Sequence, residues 1–474
     1  MLLMNRVSSQ GGAGASQAGV RDATSGQAVN TLEFDELRGC TAIQLDATGF
    51  FRVAQIEGRW WLVTPKGHPF FSTGINALRF QGTATADGRR HYQDAAERKY
   101  GTQEAWAKAQ VGRCLSWGWN TVGAWSDWQC FRDRMPYTVL LSVGGYDWNS
   151  GPWSDCFSPG FRSAVRERIR EVTEDTKDDP YLIGYFLANE MKWGPDHRGG
   201  HLLDEFFAKP IEAGAGKAAL MRFLQSRYDS LDQLAVDFAT TAKSWEELAA
   251  GTVLRSRNTT GALATQFDWA AKVAEAYFST TAQELRAADA NHLNLGARFI
   301  AHFTPRRVIA EAGKYVDVMS INFYGMISPI GSLLQRFSAD YLSVADFLRE
   351  HYEAGGRPIL ISEWSYRAND AGLPNTWPPV YRTLPTQEAR ADAYEQYFRQ
   401  VLARPWFVGQ HWFLFTDQPA EGRFDGENNN FGLVNEQDEP YRILTARSAD
   451  MHNTVYERLF VGSKKCLIQT LQDR

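Results

Sequence analysis

Apolar positions along this chain follow two rhythms. Short apolar runs bounded by turn signals recur at 70–75, 121–124, 138–143, 182–188, 293–297, 316–321, 359–362 and 408–413. Runs of this length read as strands buried on both faces, the habit of parallel sheets covered by helices. Between them the spacing turns helical. Ser158-Pro159 offers a capping hydroxyl before a proline at the first helical position, and Phe161, Val165, Ile169 and Val172 then recur over a charged opposite face. Thr304-Pro305 repeats the device ahead of a short helix predicted to end near Gly313. Eight strands alternating with helices predict an α/β fold, a (β/α)8 TIM barrel.

Three stretches depart from the alternation. Residues 1–30 are rich in Gly, Ser, Ala and Gln, a composition that predicts a disordered or low-complexity tail. Residues 31–66 contain short alternating runs broken by Glu57-Gly58 and Pro65-Lys66-Gly67, which predict a β flap closing the bottom of the barrel. The barrel is assigned to 67–455, and 456–474 to a C-terminal tail. Within it, 191–292 form an abnormally long connection after strand four. Capping boxes at Ser230–Gln233 and Ser244–Glu247 and a long helix over 265–288 predict a helical insertion that walls one side of the cleft.

Composition narrows the function classes. A formal net charge of -5 over 474 residues carries no basic stripe, so neither nucleic acid nor an anionic membrane is expected as a partner. Five cysteines, at 40, 114, 130, 156 and 466, lack CxxC spacing and read as free thiols, not as a disulfide framework or zinc site. The first residues hold no apolar stretch of signal-peptide length, which predicts a cytoplasmic protein; a start placed elsewhere would allow the periplasm or secretion. Oligomeric state is not read from the sequence. The sixteen tryptophans suit both core filling and platforms for the apolar faces of sugar rings.

Two of the apolar runs end on a glutamate. Glu190 follows Asn189 after strand four, and Glu363 ends strand seven ahead of Trp364. Barrel strands deliver catalytic groups from their C-terminal ends, whereas the opposite rim serves stability. Two facing carboxylates are the minimal machinery for cleaving a glycosidic bond, about 5 to 5.5 Å apart when configuration is retained. The bland alternative is a pair of solvated rim glutamates capping neighbouring helices. Strands four and seven lie across the mouth of an eight-stranded barrel, so the pair can meet.

At these residues the chain resembles clan A of the glycoside hydrolases. The segments 67–76, 184–190, 289–293 and 430–435 are further similar to the agarase family, glycoside hydrolase family 50, with kinship to the family 42 β-galactosidases. One departure is that family 50 agarases usually carry a large N-terminal β-sandwich-like domain, where this chain has a short flap. The resemblance implies an exo-acting retaining hydrolase of β-galactosidic linkages in agarose-type algal oligosaccharides, with no cofactor and no metal. It implies Glu190 as acid/base, Glu363 as nucleophile and Asn189 as a partner of the sugar's 2-hydroxyl. Glu190 would then hold a raised pKa while Glu363 stays ionised. It further implies that Tyr324 hydrogen-bonds the nucleophile and that Trp412 forms a platform beneath the reactive sugar. Asn76, Trp125, Arg298 and His302 stand at strand ends, where they can contact sugar hydroxyls or pair with a rim carboxylate.

Rival readings stay open. A β-galactosidase or a carrageenan-oligosaccharide hydrolase would use the same pair, and a non-catalytic carbohydrate-binding barrel would share every other feature. A metal-dependent lyase or enolase-like isomerase would need carboxylates on successive strand ends or a strand-borne lysine, which strands three and five do not supply. The loop 196–201 holds two histidines without helical spacing and reads as a solvated loop near the cleft. The acid- and Asn-rich segment 421–430 suits an active-site loop or a plain surface loop.

Overall fold

The computed structural model describes residues 32–144, 155–209, 214–325, 344–378 and 381–460. The expected tail at 1–30, the end of the chain from 461 and Cys466 lie outside them. Eight parallel strands form the barrel: Ser72–Ile75, Thr121–Val122, Tyr137–Leu140, Leu182–Phe186, a fifth strand in two pieces, Met319–Asn322, Ile359–Trp364 and Phe407–Trp412. Strand eight pairs with strand one, so the sheet wraps round in chain order.

Strand five is where the sheet closes. The sequence predicts it as one run over 293–297. Instead Leu293–Asn294 pairs with strand four and Phe299–Ile300 pairs with strand six. Between the two pieces, Gly296 and Arg298 take positive φ values of 77° and 44°. That bend lets one strand serve both neighbours and turns the Arg298 side chain into the barrel.

The interior is sealed from below. Ile183, Leu293, Val318, Leu360 and Val408 form one buried cluster with Leu62 and Phe70 of the antiparallel sheet Arg52–Ile56, Arg59–Val63, Pro69–Phe70 and with Leu37 and Phe51 of the segments leading into it. At about 25 cal/mol per Å² of apolar surface, such burial accounts for a flap this short holding its place. His68 fastens its edge, with Nδ1 2.7 Å from Asp35 Oδ2 and Nε2 2.8 Å from Gln44 Oε1. Residues 455–460, at the start of the expected tail, form a helix instead, and Tyr456 and Phe460 stack on Trp61.

The ring helices follow their local signals with one exception. Ser158 caps Pro159–Thr173 by accepting from the Phe161 amide at 3.2 Å. Both capping boxes form: Ser230 and Ser244 accept from the Gln233 and Glu247 amides, and those side chains reach back to the amides of Asp229 and Lys243. Thr304 does not cap, because Pro305 occupies the cap position of Arg306–Ala312 and the Thr304 hydroxyl donates to the Ile300 carbonyl at 2.8 Å.

The long helix, Thr260–Ala288, packs against Pro159–Thr173 and Arg306–Ala312 and so serves as the ring helix between strands four and five. The shorter helices at 202–250 bury Phe206 and Phe223 against its Trp269. Their apolar faces point at that helix, and of the connection 191–292 the loop residue His197 reaches the cleft.

Candidate active site

The site is assembled by four strand ends. Strand four ends at Phe186, and the chain continues through Ala188 and Asn189 to Glu190, whose φ is 51°. Its amide donates to the Arg298 carbonyl at 3.1 Å, joining two residues in left-handed conformations. Glu363, by contrast, lies inside the strand Ile359–Trp364, where the register with both neighbouring strands shifts between Ile361 and Trp364, and is 6% exposed.

Asn322, at the end of strand six, stands between the two carboxylates. Its amide nitrogen is 3.0 Å from Glu190 Oε1, 3.2 Å from Glu363 Oε2 and 3.1 Å from Asn189 Oδ1. With a nitrogen in common at 3.0 and 3.2 Å, the two carboxylate oxygens lie no more than 6.2 Å apart. The Ser362 hydroxyl donates to Asn322 Oδ1 at 2.7 Å and fixes which end of the amide faces the glutamates.

Arg298 is fully buried and does not line the cleft. Its guanidinium sits 3.1 Å from Glu363 Oε2, donates to Asn189 Oδ1 and to the Ser362 carbonyl at 2.7 Å each, and lies 4.1 Å from the centre of the Trp125 ring. It therefore pairs with a rim carboxylate and leaves sugar hydroxyls to others. Asn76 is likewise buried away from the cleft, donating to the Ser362 carbonyl at 2.9 Å and accepting from the Ala124 amide at 2.9 Å. Tyr324 lines the cleft and donates to Glu363 Oε1. Trp125, Asn189 and His302 line it too, and His302 Nε2 lies 2.6 Å from the Gly325 carbonyl.

Burial pushes the Glu363 carboxyl up to about 7; the Arg298 charge opposes this, Glu190 adds to it and the Tyr324 hydroxyl opposes it. This differs from the expectation that Glu363 stays firmly ionised. All three of its side-chain partners donate, however, and donors favour the charged form. Burial raises the Tyr324 hydroxyl well above its ordinary value, so it stays a donor.

Trp412 is not a platform: it is fully buried, absent from the cleft lining, and donates to the Phe431 carbonyl at 2.9 Å. His411 packs against Phe186, so strand alternation turns Trp412 outward onto Trp364 and Tyr394. Phe413, one residue on, lines the cleft instead.

The cleft encloses about 670 Å³. Beyond the expected residues, Trp377, Tyr381, Arg423, Phe424 and Glu427 line it. Tyr381 stacks on Tyr324 with ring centres 4.8 Å apart. Segment 421–430 is thus an active-site loop. Arg423 lies 2.7 Å from Asp425 and 2.9 Å from Glu427, and burial raises the Glu427 carboxyl, with Arg423 opposing. Asn428 and Asn429 tie this loop to 375–377, through the Thr376 amide at 2.9 Å and the Trp377 carbonyl at 2.6 Å.

Of the loop 196–201, His197 lines the cleft, while the Asp196 and Arg198 side chains are buried as an ion pair at 2.6 Å. Two motif segments are braces: His292 Nδ1 lies 2.7 Å from Asp289, and Asn430 donates to Asp417 at 3.0 Å. Gly432 is required there, since a Cβ would sit 2.3 Å from the Asp417 amide nitrogen.

Fold and site together are a (β/α)8 barrel with a carboxylate after strand four facing another on strand seven, the arrangement that the sequence likeness to clan A glycoside hydrolases leads one to expect. Within that class the likeness is to glycoside hydrolase family 50. The chain is 27% identical over 488 residues to beta-agarase B of Vibrio sp. (strain JT0107), covering 87% of this chain and 49% of the relative. It is 27% identical over 468 residues to beta-agarase A of the same organism, covering 84% and 45%. The chain thus spans about half the length of the curated relatives it matches. Among solved structures, PfGH50B superposes with a TM-score of 0.77 at 25% identity over 90% of this chain and 69% of that one. The agarase AgWH50C gives 0.75 at 25% identity over 90% and 68%. No family model matches the chain.

Proposed function

We propose that this protein is a retaining glycoside hydrolase that cleaves β-galactosidic linkages in agarose-type galactan oligosaccharides from a chain end. The observation that carries the reading is the pair Glu190 and Glu363, facing one cleft with oxygens at most 6.2 Å apart across Asn322. That separation falls below the roughly 6.5 to 9.5 Å that an inverting enzyme needs to admit water between its carboxyl groups.

In the proposed reaction the Glu363 carboxylate attacks the anomeric carbon and forms a glycosyl ester. The bond to the departing oxygen breaks as that oxygen takes the proton of Glu190. Glu190, now ionised, removes a proton from water, which attacks the same carbon and frees Glu363. Asn189, fixed by Arg298 and Asn322, offers its amide to the sugar's 2-hydroxyl.

Substrate choice is supported by the walls. Trp377 and Phe424 line the cleft yet are 49% and 69% exposed, the habit of aromatic faces that receive sugar rings. Asp425 and Glu427 balance the two arginines that line the cleft, Arg79 and Arg423, so the wall offers a sulfate no excess of positive charge, which disfavours a sulfated galactan and hence the carrageenan reading. The tied loops 375–377 and 423–430 stand over one side of the site and support action from a chain end.

The test is hydrolysis of agaro-oligosaccharides, carrageeno-oligosaccharides and aryl β-galactosides with the product anomer followed by NMR. Release of a β-anomeric product from the neutral agaro-series is expected. An α-anomeric first product, or turnover confined to the sulfated series, overturns the reading.

A further inference from the structure

Glu190 is held in a backbone conformation that non-glycine residues avoid. Two contacts secure it. On one side its amide donates to the Arg298 carbonyl. On the other, Arg198 Nη1 donates to the Glu190 carbonyl at 2.7 Å. The same guanidinium is itself clamped: Nη2 donates to Asp196 Oδ2 at 2.6 Å and Nε lies 3.1 Å from that oxygen, while Asp196 Oδ1 accepts the Arg198 amide at 2.8 Å. Both side chains are buried, at 2% and 1% exposure.

A buried ion pair does little for stability by itself. Here its third donor is spent on the main chain of a residue facing the reacting bond. We infer that the Asp196–Arg198 turn is a positioning clip for Glu190: Arg198 fixes the Glu190 carbonyl, and through it the left-handed turn that aims the carboxyl group at the leaving oxygen. The inference rests on the reading of Glu190 as proton donor. Arg198 is not among the cleft-lining residues and acts through Glu190. Releasing the clip lets the turn relax, and a displacement near 1 Å at a reacting group costs about 100-fold in rate.

A misplaced proton donor has a chemical signature that general damage lacks. A leaving group that departs as a stable anion needs no proton. The experiment compares kcat/KM, which reports bond cleavage, on phenyl and 2,4-dinitrophenyl β-galactosides. For Arg198→Lys the phenyl substrate is expected to lose about 30- to 100-fold and the dinitrophenyl substrate less than about 3-fold. Asp196→Asn, which keeps the guanidinium and loosens its anchor, is expected to show the same split at a smaller size. For Arg198→Ala, added guanidinium ion is expected to restore part of the phenyl activity and leave the other unchanged. Equal losses on both substrates in every folded variant, or no loss on either, overturn the clip. Glu190→Gln is the control: if it shows no leaving-group split, the reading of Glu190 fails; if it does and the Arg198 and Asp196 variants do not, only the clip fails.

Discussion

The ends of strands four and seven present the same side chain by opposite means. Glu363 is one residue of a continuous, fully buried strand, and side chains hold it: Arg298, Tyr324 and Asn322 all donate to its carboxylate. Glu190 sits where the strand has already broken, and main-chain contacts from Arg298 and Arg198 hold it. In the proposed reaction the two have different duties. A group that forms a bond to carbon must keep its place and charge, which dense donors provide. A group that gives and takes a proton needs aim, together with a carboxyl that both protonation states can occupy.

The strongest test of this contrast is Glu363→Gln, expected to lower kcat on agaro-oligosaccharides by about 10⁴-fold or more because the amide cannot attack carbon. Rescue by azide, giving the β-galactosyl azide, is expected for Glu190→Gln; seeing it for Glu363→Gln would exchange the two roles.

Removing the shared guanidinium comes next. Arg298→Leu leaves Glu363 buried without its counter-charge and is expected to destabilise the protein by about 3 to 5 kcal/mol, read as a fall in the denaturant midpoint. An unchanged midpoint would mean that donors alone suffice at strand seven.

Tyr324→Phe removes one hydrogen bond to a charged group and is expected to lower kcat/KM at neutral pH by about 10- to 100-fold. The pH profile gives the sign. Glu363 works ionised and its folded value is about 7, so wild-type kcat/KM should fall as pH drops through about 7. The Tyr324 hydroxyl stabilises the anion, so its loss should carry that limb to higher pH; a shift to lower pH would contradict the proposed ionisation state.

The smallest effect is expected at the rim. Trp377→Ala, half exposed, should leave the melting temperature unchanged and raise KM for long agaro-oligosaccharides several-fold, with little change for aryl galactosides. A loss shared by both substrates would move Trp377 from the outer cleft to the reacting sugar.

Much of this was legible in the chain. Runs such as 359–362 ending on Glu363 betray a buried parallel strand and a rim carboxylate at once, because burial on both faces leaves no other reading for so apolar a segment. Local chemistry also spoke clearly at Ser158, Ser230 and Ser244. What stayed hidden depends on direction and distance. Strand five reads as one run because nothing local announces that Arg298 takes a positive φ. Trp412 reads as a platform because its orientation follows from His411 facing inward, set by register with strand one. Asn322 and Asn428 gain meaning only from residues that are remote in sequence.

Asn322 carries a last consequence. An amide has two hydrogens, and here its nitrogen faces three oxygens. As the proposed bond to Glu363 forms, that carboxylate becomes a neutral ester and loses its negative charge; as Glu190 gives its proton to the departing oxygen, the same unit of charge arrives on Glu190. The charge thus crosses a few ångströms from one oxygen to the other while Asn322 stays put, pinned by Ser362. A donor at the midpoint solvates the start and the end of that migration alike, so the half-reaction demands no reorientation of this dipole.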